Sequence, residues 1–568
     1  MARTTKRAPK SGEGDFVFLP LGGGGEIGMN FALYGYGPEK SREWIIVDVG
    51  VTFPGPDLPG VDLVLPDITF VRSIRKRVRG IVITHAHEDH YGALLSLWPA
   101  IQAPVWMTPF AADMMESKRV GERDNRMPKP DVTTYKPGDT FEIGPFSIEA
   151  VHVTHSIPEP VSLMVRTPVG NALHTGDWKI DAEPGIGKPT DEKRFRELGE
   201  EGIDVLVCDS TNAMRDGTSP TEHAVNESLG DLIRNAPGRV AIATFSSNVG
   251  RMVSVMEAAR DAQRSVLLMG RSLRRVAQVA GDLGYFDGLP ETLTEDEFSQ
   301  IPRENVVILC TGSQGEDRAA LAKIARDEHP RVSLAKGDRV IFSARAIPGN
   351  EKAILEVRNG LIERGIEIID DTKHLVHVSG HPRRAELQTM YEWTKPKALI
   401  PVHGEPAHLV AHAELGREAG IDTVVEARNG DLVRLAPGTP EIVGGEYSGR
   451  AYKDANLIGD AKAVGVDDRR RLSFAGHVSI SILLDSRGEL LEEPSIVCIG
   501  LPEKDDEGEK IEDLLYDAAL DTVENLSRGK KRDLDAVRDA VSNAVRSESR
   551  DVWGKRPITT VHVAKVEA

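Results

Sequence analysis

Cysteine is scarce in this sequence. Cys208, Cys310 and Cys498 are the only three in 568 residues, too few and too scattered for a disulfide framework or a thiolate metal site, and such usage suits a reducing cytoplasm. Long apolar runs are missing too: none approaches the roughly 18 to 20 residues that span a bilayer, so no membrane partner is expected. Residues 1–15 carry Arg3, Lys6, Arg7 and Lys10 without the apolar stretch of a secretory signal, and read as a flexible basic tail. Positive charge is also outweighed. The 70 basic and 88 acidic side chains leave a net charge of −18, which excludes sequence-independent coating of duplexes and requires any nucleic-acid site to be local. No long repeat and no low-complexity tract is present.

What remains is an ordinary globular composition, 40% hydrophobic and 28% charged, in a chain long enough for three or four domains at about 150 residues each. Residues 16–220 hold short apolar, β-branched runs bounded by Gly, Pro and Asp, such as WIIVDVG, GIVITH and DVLVCDS, with helical periods only around residues 69–78 and 91–98. They predict stacked sheets flanked by helices. From residue 221 the rhythm becomes buried strand, Gly or Ser loop and long helix, the pattern of a parallel α/β sheet, which continues to residue 371. Residues 372–450 return through ALIPVHGE, and residues 451–568 form a third region. There an acidic stretch, 503–513, reads as a solvated loop or helix start, followed by an amphipathic helical stretch and a closing strand, ITTVHVAKV.

The strongest chemical signal is THAHEDHYG, where His85, His87, Asp89 and His90 follow the strand GIVIT. Three imidazoles and a carboxylate in six positions at a strand end can converge on metal. His85 and His87 can face one ion, while Asp89 and His90, turned by the start of the following helix, can face a second. His155 in VHVTHSIP and Asp177 in ALHTGDW lie after other strands and would supply a terminal imidazole and a carboxylate able to bridge two cations. Asp48, ending WIIVD, fits a role in orienting a ligating histidine.

In order and spacing, Asp48, HAHEDH, His155 and Asp177 resemble the metallo-β-lactamase superfamily. The later motifs, Asp209 in CDST, His381 in HVSGH and His403 in PVHGE, resemble its β-CASP branch of nucleic-acid-processing enzymes, where a histidine at the position of His403 is associated with RNA. LGGGGEIGMN at 21–30, TFSSN at 244–248, CTGSQGE at 310–316, IPGNE at 347–351 and HVSGH at 377–381 are similar to the ribonuclease J family over about 450 residues. Ala344, Ala346 and Gly250 depart from the family's usual residues and bear on the substrate pocket. The resemblance implies an αββα metallo-β-lactamase sandwich interrupted by an inserted β-CASP α/β domain over 221–371, and a small C-terminal α+β domain after 450.

The implied activity is 5′-to-3′ exonuclease together with endonuclease cleavage of single-stranded RNA bearing a 5′-monophosphate, in mRNA decay and rRNA maturation. Two Zn²⁺ ions, with Mn²⁺ as the substitute, would be held by His85, His87, His155 and Asp177 and by Asp89, His90, Asp177 and His403. They would lower the pKa of a shared water so that hydroxide attacks the phosphodiester in line. His381 is the candidate for protonating the leaving 3′-oxygen or clamping the phosphate, and Asp209 for holding His381. His377, Val378, Ser379, Gly380 and His381, with Ser247 and Asn248 at a helix start, are the candidate 5′-phosphate pocket. The glycine run lacks a nucleotide-loop lysine and reads as close backbone packing near the metals. The basic run VRSIRKRVRG reads as a solvated helix face, and Asp454 with Asp460 as a weak additional ion site. Homodimer or homotetramer formation and RNA-decay partners are expected. The competing readings are a non-catalytic RNA-binding subunit and a small-molecule metallo-hydrolase.

Overall fold

The computed structural model describes residues 14–121, 127, 129–347 and 349–566. The first 13 residues of the expected basic tail, and Pro348 of IPGNE, lie outside these. Two compact units are present, one of residues 14–52 and 65–450 and one of residues 53–64 and 451–566.

In the first unit, two sheets face each other. The eight-stranded sheet runs in the order Glu441–Gly445, Asp431–Ala436, Asp15–Gly22, Phe31–Gly37, Glu43–Val47, Val78–Val82, Val105–Met107 and Val132–Thr134. The seven-stranded sheet runs Thr423–Val424, Ala398–Val402, Val205–Asp209, Gly170–His174, Val161–Thr167, Phe146–His152 and Thr140–Ile143. Alternation decides which side chains meet between them: Phe16, Phe18, Ile45 and Val47 of one sheet pack against Ile148, Leu163, Val205 and Val207 of the other. The opposite face of the second sheet, with Leu206, Cys208 and Leu399, buries Phe195 and Leu198 of helix Glu192–Glu201 and Leu387 and Trp393 of helix Arg384–Thr394. This is the αββα sandwich.

The insertion carries a five-stranded sheet ordered Ser265–Met269, Val306–Cys310, Val240–Ala243, Arg339–Phe342 and Glu367–Ile369, parallel throughout. Its strands are almost entirely buried, as expected of a parallel sheet covered on both faces, and they read as unbroken apolar runs such as VVILC for that reason. Two expected helices differ from what the periodicity suggested. Thr69–Ile74 gives way to a 3₁₀ turn at Arg75–Arg77 because Val78 already enters a strand, and the second helix divides into Glu88–Tyr91 and Leu94–Ile101.

The second unit has a three-stranded sheet, Ser495–Ile499, His477–Leu484 and Ile558–Lys565. Val478, Ile480 and Ile482 pack on Leu515 and Val523 of helix Ile511–Asn525 and Val537, Val541 and Val545 of helix Leu534–Trp553. The other face of the sheet exposes Leu483, Val497 and Ile499. The acidic stretch is largely exposed up to the buried Ile511, where the helix begins.

Candidate metal centre

The sandwich gathers strand ends at one edge. Strand Glu43–Val47 is parallel to Val78–Val82, and their carboxyl ends lead into Asp48 and His85. Gly170–His174, Val205–Asp209 and Ala398–Val402 are likewise parallel, leading to Asp177, Asp209 and His403. His155 follows Phe146–His152. Asp48 and His403 each sit one residue past a strand with φ of 65° and 54°, a conformation costly for a side chain with Cβ and characteristic of functional sites.

Two ligand sets result. His87 Nδ1 lies 3.1 Å from His85 Nε2 and 3.0 Å from His155 Nε2, while Asp177 Oδ2 is 3.8 and 3.7 Å from the His85 and His155 nitrogens. The other oxygen, Asp177 Oδ1, is 3.1 Å from His90 Nε2 and 3.6 Å from His403 Nε2. Asp89 Oδ2 stands 3.7 and 3.9 Å from those same two nitrogens. A tetrahedral cation with ligands at 2.0–2.1 Å has edges of about 3.3 Å. Both groups come close to that size, and each keeps its ligand atoms within 4.8 Å of one another. Asp177 Oδ1 is buried with no hydrogen-bond donor well directed at it, so the donor set fits cations that it would bridge.

Three of the remaining ring nitrogens are already committed. His90 Nδ1 lies 2.7 Å from Asp48 Oδ2, His155 Nδ1 is 2.7 Å from the Gly380 carbonyl, and His403 Nδ1 is 3.0 Å from Asn30 Oδ1. Donation through Nδ1 leaves each Nε2 to act as the ligand atom. Asp48 also accepts the Thr84 amide at 2.8 Å and the Thr84 hydroxyl at 2.9 Å, fixing the start of HAHEDH. Burial holds His85 and His155 well below the usual histidine pKa, and His87 at about 4, so these rings are neutral and able to ligate. Burial also lowers His90, but Asp177, Asp48 and Asp89 outweigh it and raise the pKa well above normal. A cation taking that place must displace a proton. Burial alone would raise the Asp177 carboxyl, yet His403, His90 and His381 keep it well below the ordinary carboxylate range.

His381 stands beside both sets. Its Nε2 is 4.0 Å from Asp177 Oδ2, and its Nδ1 is 2.7 Å from Asp209 Oδ2. Burial lowers its pKa, but Asp209 and then Asp177 prevail and lift it to about 9. His381, Asp209 and His403 form a third group of convergent ligand atoms. Gly380 is required by the close approach to His155, because a Cβ there would meet the ring at 2.5 Å. Ser379 Oγ accepts from Asn212 Nδ2 at 2.8 Å. Val378 is buried, and His377 Nδ1 is buried without a partner. Asn248 is the N-cap of helix Val249–Asp261, accepting the Arg251 amide at 2.8 Å, with Ser247 beside it.

Two other features fall elsewhere, while the glycine run packs beside the site. Residues 72–79 precede or open strand Val78–Val82, at the end opposite the ligands, and Arg79 pairs with Glu43 at 2.5 Å. Asp454 pairs with Arg469, and Asp460 Oδ1 accepts the Ala463 amide, so neither joins a ligand cluster among the described residues. Gly23 accepts the His403 amide through its carbonyl, and a Cβ on Gly24 would strike the Asn429 backbone at 2.9 Å, which accounts for the glycine run as close packing. Asn30 went unnoticed in the sequence although it ends the quoted motif LGGGGEIGMN. Its Nδ2 is 2.9 Å from His90 Nε2 and its Oδ1 faces His403, so it touches the rings of both.

Comparison with known proteins agrees with this geometry. Family models match as the metallo-beta-lactamase superfamily over residues 39–241, the ribonuclease J beta-CASP domain over 237–361, a Zn-dependent metallo-hydrolase RNA specificity domain over 365–426 and the ribonuclease J C-terminal domain over 464–566. Ribonuclease J of Sinorhizobium meliloti is 59% identical over 97% of this chain and 98% of its own. That of Corynebacterium glutamicum is 37% identical over 87% and 68%, and ribonuclease J 1 of Streptococcus pyogenes is 35% identical over 95% of both. A solved protein of unknown function from Enterococcus faecalis, 14% identical, shares the fold with a TM-score of 0.50 over 74% of this chain and 100% of its own. The chain belongs to the ribonuclease J family and is a metal-dependent ribonuclease.

Proposed function

We propose that this ribonuclease holds two Zn²⁺ ions, one on His85, His87, His155 and Asp177 and one on Asp89, His90, Asp177 and His403, and degrades single-stranded RNA 5′ to 3′ while also cutting internally. The observation that carries the reading is Asp177, whose two oxygens each face a separate imidazole set. Five imidazoles favour Zn²⁺, with Mn²⁺ as the substitute. Bound there, the cations supply positive charge for the phosphodiester oxygens and acidify water for attack.

The chain's own groups supply the rest. His381, held protonated by Asp209, donates its Nε2 proton to the departing 3′-oxygen as the P–O3′ bond breaks, and Asp209 fixes the ring. Asp48, Asn30 and the Gly380 carbonyl orient His90, His403 and His155. For the 5′-monophosphate we assign His377, Val378, Ser379 and Gly380 with Ser247 and Asn248. The reading is supported by the unpartnered His377 Nδ1, a ring kept neutral by burial and by Arg251, Arg345 and Lys179, which push its pKa to about 3. The cellular roles are mRNA decay and rRNA maturation in the cytoplasm. Homodimer or homotetramer assembly through residues 451–568, with further decay partners, is supported by the exposed Val497 and Ile499.

Full-length enzyme given single-stranded RNA labelled at a 5′-monophosphate should release labelled mononucleotide first, and a circular RNA should be nicked. A 5′-triphosphate should slow the first reaction at least about tenfold, a gap of one charge-assisted contact. Equal rates on both ends would overturn the pocket.

A further inference from the structure

Most arginines of this chain face a carboxylate. Arg215, Arg345 and Arg383 form no ion pair among the described residues, although their neighbourhood is densely hydrogen-bonded. Asn212 joins them. Arg345 Nη1 donates to Asn212 Oδ1 at 3.1 Å, the Arg215 amide donates to the Asn212 carbonyl at 2.8 Å, and Asn212 and Arg383 form a parallel bridge. Asn212 Nδ2 then reaches Ser379 Oγ at 2.8 Å and the His381 carbonyl at 3.1 Å. The guanidinium of Arg345 is therefore two hydrogen bonds from the segment that carries His381. Arg383 Nε is buried with no acceptor, Arg345 is half-buried and Arg215 is exposed.

The segment bearing Arg345 is braced from the inserted domain. Gln314, buried in CTGSQGE, donates through Nε2 to the Arg345 carbonyl at 2.9 Å and accepts the Ile347 amide through Oε1 at 2.8 Å. One side-chain amide thus pairs with the backbone on both sides of Ala346, as a neighbouring strand would. This explains why the CTGSQGE and IPGNE motifs face each other.

We propose that Arg345, with Arg215 and Arg383, is a sequence-independent clamp for an internal RNA phosphate next to the scissile one, and that Gln314 is the positioning residue that presents Arg345. The inference rests on the ribonuclease reading above and extends it from the 5′ end to the body of the strand. Guanidiniums grip phosphate oxygens in bidentate pairs of hydrogen bonds, and three of them without an ion pair place positive charge beside the segment that carries His381. Burial, followed by repulsion from Arg215 and Arg383, keeps the Arg345 guanidinium below its usual pKa against the pull of Asp371, as expected of a cluster waiting for an anion.

The test uses zinc-loaded full-length enzyme and 5′-monophosphorylated single-stranded RNA, with kcat and KM measured over a range of salt. Arg345→Ala should raise KM about tenfold with a much smaller change in kcat. It should also make the slope of log(kcat/KM) against log[salt] shallower by about 0.7, the loss of one phosphate contact to a single strand. Arg345→Lys, which keeps the charge, should restore the slope. Gln314→Ala should shift KM and slope in the same direction, and Arg345→Ala added to it should have little further effect. An unchanged slope in a folded Arg345→Ala enzyme would overturn the clamp. So would a collapse of the monophosphate-over-triphosphate preference, which would place the cluster at the 5′ end. Failure of the unsubstituted enzyme to cleave RNA would instead overturn the functional reading beneath it.

Discussion

In the proposed mechanism Asp177 and His381 divide the chemistry of the centre between them. Asp177 is shared by both four-residue ligand sets, whereas His381 belongs to neither. His381→Ala should therefore keep its bound metal, measured by elemental analysis, and lose about 10² to 10⁴ in single-turnover cleavage. Retained turnover would remove it from the mechanism. Asp48→Ala should do the reverse, weakening metal by about 10 to 100-fold, because Asp48 orients His90 without ligating. Competition with a chromophoric chelator measures this. The candidate ligands were legible in the sequence because HAHEDH is dense and because His155, Asp177 and His403 each follow a strand. Asn30, Asn212 and Gln314 were not, since a single amide in a loop has no spacing to mark it, and its role exists only once distant segments meet.

Elements are held in register by buried polar groups at the junction of the sandwich and the insertion. Glu386, at the start of helix Arg384–Thr394, accepts the amides of Ile180, Ser219 and Arg383 at 2.9–3.0 Å. One carboxylate thereby ties the loop after Asp177 to the chain leaving for the insertion and to the chain returning from it. Nearby, Lys179 pairs with Asp181 at 2.6 Å, and Arg251 with Glu222 at 2.8 Å and the Val376 carbonyl at 2.8 Å, all buried. Removing one partner strands a buried charge, so Arg251→Met should cost about 3–5 kcal/mol in denaturant unfolding. Burial opposes ionisation of Glu222, yet Arg251 and Lys179 prevail and depress its pKa. Its contribution is then fully present above the unfolded value near ~4.3 and is lost as pH falls through the depressed folded value. Glu222→Gln should flatten that acid-side loss in thermal melts. The alternation of strand and helix was visible as rhythm. The ties of Glu386 to Ile180 and Ser219, and of Arg251 to Val376, were not, because they join residues more than a hundred positions apart.

For the whole molecule, the net charge of −18 includes the exposed 503–513 stretch, while five histidines and His381 converge at the centre. The αββα sandwich, the inserted parallel sheet and the C-terminal unit follow from patterns that the sequence carries openly. Assembly is less openly written. The outward face of the C-terminal sheet is a short apolar stripe, and Val497→Asp with Ile499→Asp should lower the mass measured by light scattering if that face joins copies of the chain. No helix among the described residues is long and apolar enough to cross a membrane.

In the proposed mechanism one carboxylate, Asp177, unites two metal sets into a single RNA-cleaving centre. Metal-stripped full-length protein should be titrated with Zn²⁺ while bound metal and cleavage of labelled single-stranded RNA are followed together. Cleavage should stay near zero through the first equivalent, rise with the second and be abolished by chelator, and Asp177→Ala should lose both. Full activity at one equivalent, or activity that survives the chelator, would contradict it.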